Sequence, residues 1–248
     1  MASSSSSVFP QSSESEREER ARAILGRITS TYDVASERIM LGPETFTVLA
    51  VRDTNALLDR ITPEEFARDE RLPYWAEIWS SSLALARHCL GAPGMAGARV
   101  LELGCGVGLA GIAASRAGAC VTMTDYDPHA LMFAEYNALM NLMPAPDSGM
   151  PEFRLLDWRQ TMSLQRYDLV IGADITYERS AFGPLLATLQ NAVRDGGQIV
   201  LTDPDRLIGR DFIAVAASAG FRAQSARTTV HHRGRTSTVL CTTLMPAP

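Results

Sequence analysis

The chain has 248 residues, 46% of them hydrophobic and 21% charged, with a formal net charge of -5. That length suits one α/β domain with an N-terminal extension, and the composition supports a sizeable core. The acidic balance argues against a dedicated surface for nucleic acid, which needs clustered Lys and Arg against the phosphates, and leaves only a local basic patch at Arg227, Arg233 and Arg235.

Residues 1–13 are serine-rich and supply no burial to offset chain entropy, so a disordered tail is expected there. This stretch lacks the basic and apolar regions of a secretory signal, and Glu14 and Glu16 disfavour a transit peptide. Residues 14–72 read as the extension. A helix begins at Glu14 and runs to Leu25, and two strands, Arg38–Leu41 and Thr45–Val51, are joined in a hairpin at Gly42 and Pro43. Thr62, Pro63 and Glu65 spell a helix start with a cap, a proline at the first position and a carboxylate at the third.

Residues 73–248 change rhythm. A helix over Trp79–Leu90 is followed by apolar strands at Arg99–Leu103, Cys120–Thr124, Phe153–Leu156, Asp168–Gly172 and Gln198–Thr202. Helices alternate with them at Leu109–Ala117, His129–Asn141, Phe182–Val193 and Arg210–Ala219, which implies a parallel sheet covered on both faces. Two last strands, Phe221–Thr228 and Thr236–Thr243, are split by Gly234 and should close as an antiparallel hairpin. The expected fold is therefore α/β: a Rossmann-like, seven-stranded sheet with a C-terminal antiparallel hairpin and an N-terminal helix and β-hairpin extension, a layout that resembles the class I methyltransferase core.

Four cysteines (Cys89, Cys105, Cys120, Cys241) have no CxxC or Cys/His ligand spacing, so buried, reduced thiols in a cytoplasmic protein are expected, with no metal. No apolar run approaches the ~18–20 residues of a membrane span, and a monomer is the default expectation.

The strongest motif runs from Arg99 to Gly111. An apolar strand leads directly into Gly104, Cys105, Gly106 and Gly108, and a helix opens after them. Glycines there let the backbone turn tightly and let a ligand approach the main chain. Gly106, Gly108 and Gly111 also match the GxGxxG dinucleotide fingerprint. Two features weigh against a dinucleotide: the glycines begin at Gly104, two residues before that register, and Glu102 places a carboxylate at the strand end. Such a group repels a pyrophosphate but suits the ammonium of S-adenosylmethionine, or a water bound to it. Asp125 ends the second strand, where an acid accepts from both ribose hydroxyls, and Tyr126 is placed to pack on the adenine. Asp127 and Pro128 read as the cap and first residue of the next helix. After the third strand, Asp157 is placed to accept from the adenine amino group and Trp158 to cover the ring; simple core packing is the alternative for Trp158.

The fourth strand leads into Ala173, Asp174, Ile175, Thr176 and Tyr177. Ligands of open α/β sheets sit beyond the carboxyl ends of the strands, so Asp174 and Tyr177 point toward the transferring methyl, and their i, i+3 spacing unites them if the segment turns helically. Taken together, PYWAEIW (73–79), VLELGCGVGLAG (100–111), LDW (156–158) and GADITY (172–177) resemble the seven-β-strand protein lysine methyltransferases, including those that modify chaperones, elongation factors and electron-transfer flavoprotein. The resemblance covers roughly residues 73–205. It implies that Trp79, the Gly104–Gly106 loop, Asp125, Trp158 and the Ala173 backbone contact the cofactor, that S-adenosylhomocysteine is the product, and that Asp174 to Tyr177 form a DxxY acceptor motif. A protein substrate presenting a lysine is the implied partner.

Methyl transfer needs in-line alignment and exclusion of water more than covalent help. Asp174 is assigned to capturing and orienting the amine, and Tyr177 to orienting it through its hydroxyl or ring. Glu77 either adds negative charge at the entrance or is a solvated helix-start acid. Asp203 and Asp205 either line the acceptor pocket or make a Pro-turn. His88, His129, His231 and His232 show no nucleophile partner or ligand spacing. The rival readings are an N-methyltransferase of small amines and a non-catalytic module that only binds the cofactor. Base methylation is disfavoured because the base-flipping NPPY-type motif is absent after the fourth strand.

Overall fold

The computed structural model describes residues 14–59, 72–143, 149–160 and 164–247. The expected tail at 1–13 and the helix start at Thr62 to Glu65 lie outside the described residues.

The extension comprises a helix α1 (Glu14–Thr31), an antiparallel hairpin of β1 (Val34–Leu41) and β2 (Glu44–Val51), and a short helix α2 (Thr54–Leu58). Helix α1 runs six residues past the expected end because Ile28, four residues after Ile24, continues the buried stripe. The hairpin turns where expected, with Gly42 in the left-handed region at φ 64°. Helix α2 was not expected; the Asp53 side chain caps it by accepting from the Asn55 and Ala56 amides.

A single-turn 3₁₀ segment, Tyr74–Ala76, precedes the helix α3 (Ser80–Gly91). The core then follows as β3 (Arg99–Leu103), α4 (Leu109–Arg116), β4 (Cys120–Asp125), α5 (Pro128–Asn141), β5 (Glu152–Leu155), β6 (Tyr167–Ala173), α6 (Phe182–Ala192), β7 (Val193–Asp203), α7 (Leu207–Ser218), β8 (Phe221–His232) and β9 (Arg235–Pro246). Seven strands pair in the order β5-β4-β3-β6-β7-β9-β8, parallel through β7 and antiparallel at β9 and β8. The final hairpin turns at Arg233 and Gly234, both with positive φ (47° and 72°).

Alternation along the strands divides the core into two layers. Val100, Val121, Met123, Ile171 and Val200 face one side, against Ile112 of α4 and Phe133 of α5. Leu101, Leu103, Val170, Ile199 and Leu201 face the other, against Leu185 and Leu189 of α6 and Phe212 of α7. The extension belongs to the first layer, because Ile24, Ile28, Phe46 and Val48 are buried in the same cluster. Two asparagines one turn apart on α5 fasten it. Asn137 accepts from the Leu49 amide at 2.8 Å and donates to the Leu49 carbonyl at 3.0 Å, while Asn141 does the same for Thr47 at 2.8 and 2.7 Å. Side-chain amides thus complete the edge of β2 as a neighbouring strand would. Among the described residues, no helix is long and apolar enough to cross a membrane.

One sequence expectation needs correction. Of the four free thiols, Cys89 and Cys105 are buried, but Cys120, the first residue of β4, is exposed and Cys241 is half-buried. In the basic patch, Arg227 pairs with Asp205 at 2.9 Å and Arg233 with Glu37 at 2.6 Å.

Candidate active site

A cavity of about 490 Å³ opens beyond the carboxyl ends of β3, β4, β6 and β7, in the size range of sites for small ligands and cofactors. Ten of the predicted site residues line it: Trp79, Glu102, Gly104, Cys105, Gly106, Asp125, Tyr126, Trp158, Ala173 and Asp174, with Tyr177 as the eleventh.

The floor is the loop after β3. Gly104 and Gly106 adopt φ 64° and 52°, a region open to glycine. A Cβ on Gly104 would stand 2.9 Å from Ile175 Cγ2, and one on Gly106 would stand 3.2 Å from the Trp75 carbonyl oxygen. Glycine is therefore required twice over, by conformation and by space. The Gly106 amide donates to Asp125 Oδ2 at 2.9 Å and the Asp127 amide to Oδ1 at 3.1 Å, which locks the acid at the end of β4 against the loop. Burial, partly offset by these amides, pushes the Asp125 carboxyl up to about 6. As expected, Asp127 caps α5 by accepting from the His129 amide at 2.8 Å, with Pro128 at the first helical position.

Glu102 is 2% exposed, and its Oε2 has no hydrogen-bond partner. Burial pushes its pKa up to about 8, opposed by the Gly111 amide and reinforced by Asp125. Glu102 lines the cavity, while its unpartnered Oε2 is packed against Gly111 of α4.

The opposite wall is aromatic. The Trp79 indole N–H donates to the Tyr74 carbonyl at 2.8 Å. Tyr74 meets Trp79 edge-on at 6.1 Å and Tyr177 edge-on at 5.6 Å, so the three rings form a continuous lining. Tyr126 is held by its hydroxyl, which donates to the Leu72 carbonyl at 3.3 Å.

Asp174 and Tyr177 do face one site, but not through a helical turn. Asp174 itself takes a left-handed backbone (φ 56°), and its amide donates to the Thr202 carbonyl at 2.7 Å. The next 3₁₀ turn begins only at Arg179. The Ile175 side chain folds back over Gly172, where a Cβ would sit 2.5 Å from Ile175 Cδ1. Burial raises the Asp174 carboxyl above its ordinary value, and Arg206 partly offsets this. Burial and the nearby charges of Glu178, Asp125 and Asp174 push the Tyr177 hydroxyl up to about 12.

Asp157 does not line the main cavity. It accepts from the Arg159 amide at 3.0 Å and from the Arg159 guanidinium at 3.3 Å, beside a smaller cavity that shares Tyr126, Trp158 and Tyr177 with the main one. Ile175 also lines both. Glu77 lines the main cavity. Asp203 is buried and adjoins the acceptor side, whereas Asp205, in a left-handed turn (φ 59°), pairs with Arg210 and Arg227. Arg206, which also lines the cavity, was not expected there. It engages both carboxylate oxygens of Asp174, with Nη2 at 3.2 Å from Oδ2.

Comparison with known proteins fits this geometry. The chain is 37% identical over 136 residues to protein N-lysine methyltransferase METTL21A of Danio rerio, covering 53% of this chain and 61% of that one. It is 36% identical over 138 residues to the electron transfer flavoprotein beta subunit lysine methyltransferase of Danio rerio, covering 54% and 51%. The chain thus spans only about half to three-fifths of these relatives' length. In fold it is similar to the N-methyltransferase NodS of Bradyrhizobium japonicum in complex with S-adenosyl-L-homocysteine, with a TM-score of 0.54 and 15% identity over 79% of this chain and 99% of that one. Residues 70–212, more than half of the chain and all of the cavity lining, match the lysine methyltransferase family, and the chain belongs to it.

Proposed function

We propose that this chain is an S-adenosylmethionine-dependent methyltransferase whose acceptor is the side-chain amine of a lysine in a protein substrate. The observation that carries the reading is the meeting in one cavity of the Gly104–Gly106 cradle, Asp125 and Glu102 with the acidic and aromatic pair Asp174 and Tyr177.

These residues fit S-adenosylmethionine. Asp125, fixed by two amides, would hold the ribose hydroxyls, Trp158 and Tyr126 the adenine, and Glu102 the amino-acid ammonium. When bound, the cofactor supplies a methyl group already activated on a sulfonium.

On the acceptor side, Asp174 receives the lysine ammonium and orients it, while Tyr74, Tyr177 and Trp79 enclose the aliphatic stem and keep water out. The amine must become neutral against an ordinary pKa of about 10.4, and a neighbouring cation together with burial lowers that value. Its proton leaves to water. With the amine so held, the cofactor would supply the methyl to the nitrogen lone pair, the C–S bonding pair remaining on sulfur. Asp174 is a holder of the amine rather than its base, since a carboxylate favours the ammonium.

The test is incubation of the protein with tritiated cofactor and a lysate of the source organism. Label in a discrete protein band, lost with Asp174→Ala while calorimetry shows cofactor binding retained, is the expected result. Label confined to small molecules would replace the lysine reading with a small-amine acceptor, and undiminished turnover by Asp174→Ala would remove Asp174 from the acceptor site.

A further inference from the structure

The acid assigned to the acceptor amine already holds a cation. Both Asp174 oxygens are engaged by the Arg206 guanidinium, and the Asp174 side chain is only 8% exposed while that of Arg206 is 37% exposed. A second carboxylate stands beside the pair. Asp203 Oδ1 accepts from the Arg206 backbone amide at 2.6 Å, which anchors the residue, whereas Asp203 Oδ2 is buried without a hydrogen-bond partner, 3.6 Å from Arg206 Nη1. Space for this acid is provided by Gly209, where a Cβ would come within 2.7 Å of the Asp203 carboxyl carbon. With the backbone held, a small rotation of the guanidinium exchanges one carboxylate for the other.

Charge counting gives the exchange a direction. Asp174, Asp203 and Arg206 carry two negative charges and one positive, and Asp205 is separately balanced by Arg210 and Arg227. The cluster is one cation short of neutrality. It has a free acceptor on Asp203, away from the position where an amine is needed.

We propose that Arg206 is a positioning residue that occupies the amine site on Asp174 in the free protein and passes to Asp203 Oδ2 when an alkylammonium group arrives. This rests on the reading of Asp174 as the amine receptor. The residence of Arg206 holds a buried carboxylate in its ionised form, and its transfer frees that carboxylate at the moment of binding. Selection follows for a ligand whose charge is a single compact cation.

The test uses the full chain with S-adenosylhomocysteine and n-butylammonium as the probe, with affinity read by NMR titration at pH 8.5. Arg206→Met removes a competitor and is expected to tighten n-butylammonium roughly fivefold. Asp203→Asn keeps the acceptor for the Arg206 amide but weakens the second holding place, so it loosens the probe by a similar factor. In the double variant that loss disappears. Asp174 faces Arg206, Asp203, Tyr177 and Glu77 across the cavity, and without the guanidinium it takes up a proton at higher pH. Binding by Arg206→Met should therefore fall away first as the solution is acidified, a change that a purely structural role would not produce. Unchanged or weaker probe binding by Arg206→Met at pH 8.5, with S-adenosylhomocysteine affinity and melting intact, overturns the exchange. Equal binding by Asp174→Ala and the natural chain would instead discard the amine site itself.

Discussion

Asn137 grips Leu49 by both of its backbone polar groups across 88 residues of chain, and its amide nitrogen also donates to the Val107 carbonyl at 2.9 Å in the glycine loop. One fully buried side chain therefore ties the extension to the cofactor cradle. Asn137→Leu leaves three buried backbone groups unmatched and should cost about 3 kcal/mol. Calorimetry should show a melting point lowered by roughly 6–12 °C and a weaker S-adenosylmethionine affinity. An unchanged melting point would mean that water replaces the clasp.

Glu102 makes a signed prediction about pH. Its folded pKa of about 8 lies above its ordinary value of 4.5, so the folded state holds a proton that the unfolded chain has released. The associated stability is fully present below 4.5 and is lost progressively as pH rises toward 8, a fall on the order of 5 kcal/mol for the ligand-free protein. Glu102→Gln should flatten this slope and be more stable than the natural chain at pH 8. It should also lose the proton released at pH 7 when the cofactor ammonium meets Glu102, a release measurable by calorimetry in two buffers of different ionisation enthalpy.

Gly104→Ala tests the cradle. The left-handed backbone disfavours the added methyl by about 1 kcal/mol, and the methyl would press on Ile175 Cγ2 and narrow the cavity floor. Cofactor binding should weaken roughly tenfold, about 1.4 kcal/mol, more than the melting point would suggest. Fluorescence of Trp158, 3.7 Å from the built Cβ, offers a direct readout.

For Tyr177, the hydroxyl pushed up to about 12 stays protonated through the working range, so the pH–rate profile should contain no tyrosine limb. Tyr177→Phe keeps the ring against Tyr74 and removes only the donor. A loss of roughly tenfold in kcat with little change in cofactor affinity is expected if the hydroxyl orients the amine. A loss seen only with Tyr177→Ala would assign the role to the ring.

How far these features were legible in the sequence follows from how local they are. Glu102, the Gly104–Gly106 loop and the cap at Asp127 are each set by neighbours within a few residues, so spacing and residue type placed them on the correct elements. The i, i+3 spacing of Asp174 and Tyr177 would unite them through a helical turn, but they meet without one, because a distant partner, the Thr202 carbonyl, accepts from the Asp174 amide and that residue is left-handed. Arg206 was missed for a related reason. Its contact with Asp174 spans 32 residues and depends on β6 and β7 being neighbours in the sheet, which no local pattern encodes. Asp157 was read by its position after the third strand, whereas its local Arg159 partner, two residues on, turned it toward the smaller cavity. Helix α1 extends past Leu25 because Ile28, fully buried, continues an apolar stripe that is weak in the sequence.

The hairpin of β1 and β2 touches both flanks of the sheet at once: β2 is clasped by α5 on one side, and Glu37 of β1 binds Arg233 at the tip of β8 and β9 on the other. A fragment that keeps these contacts therefore begins upstream of residue 70, near the first turn of α1, where Arg17 donates to the Leu139 and Leu142 carbonyls. A piece cut at residue 70 would expose the Phe46 and Val48 footprint on the helical layer and leave the Asn137 and Asn141 side-chain oxygens without the β2 amides they accept from.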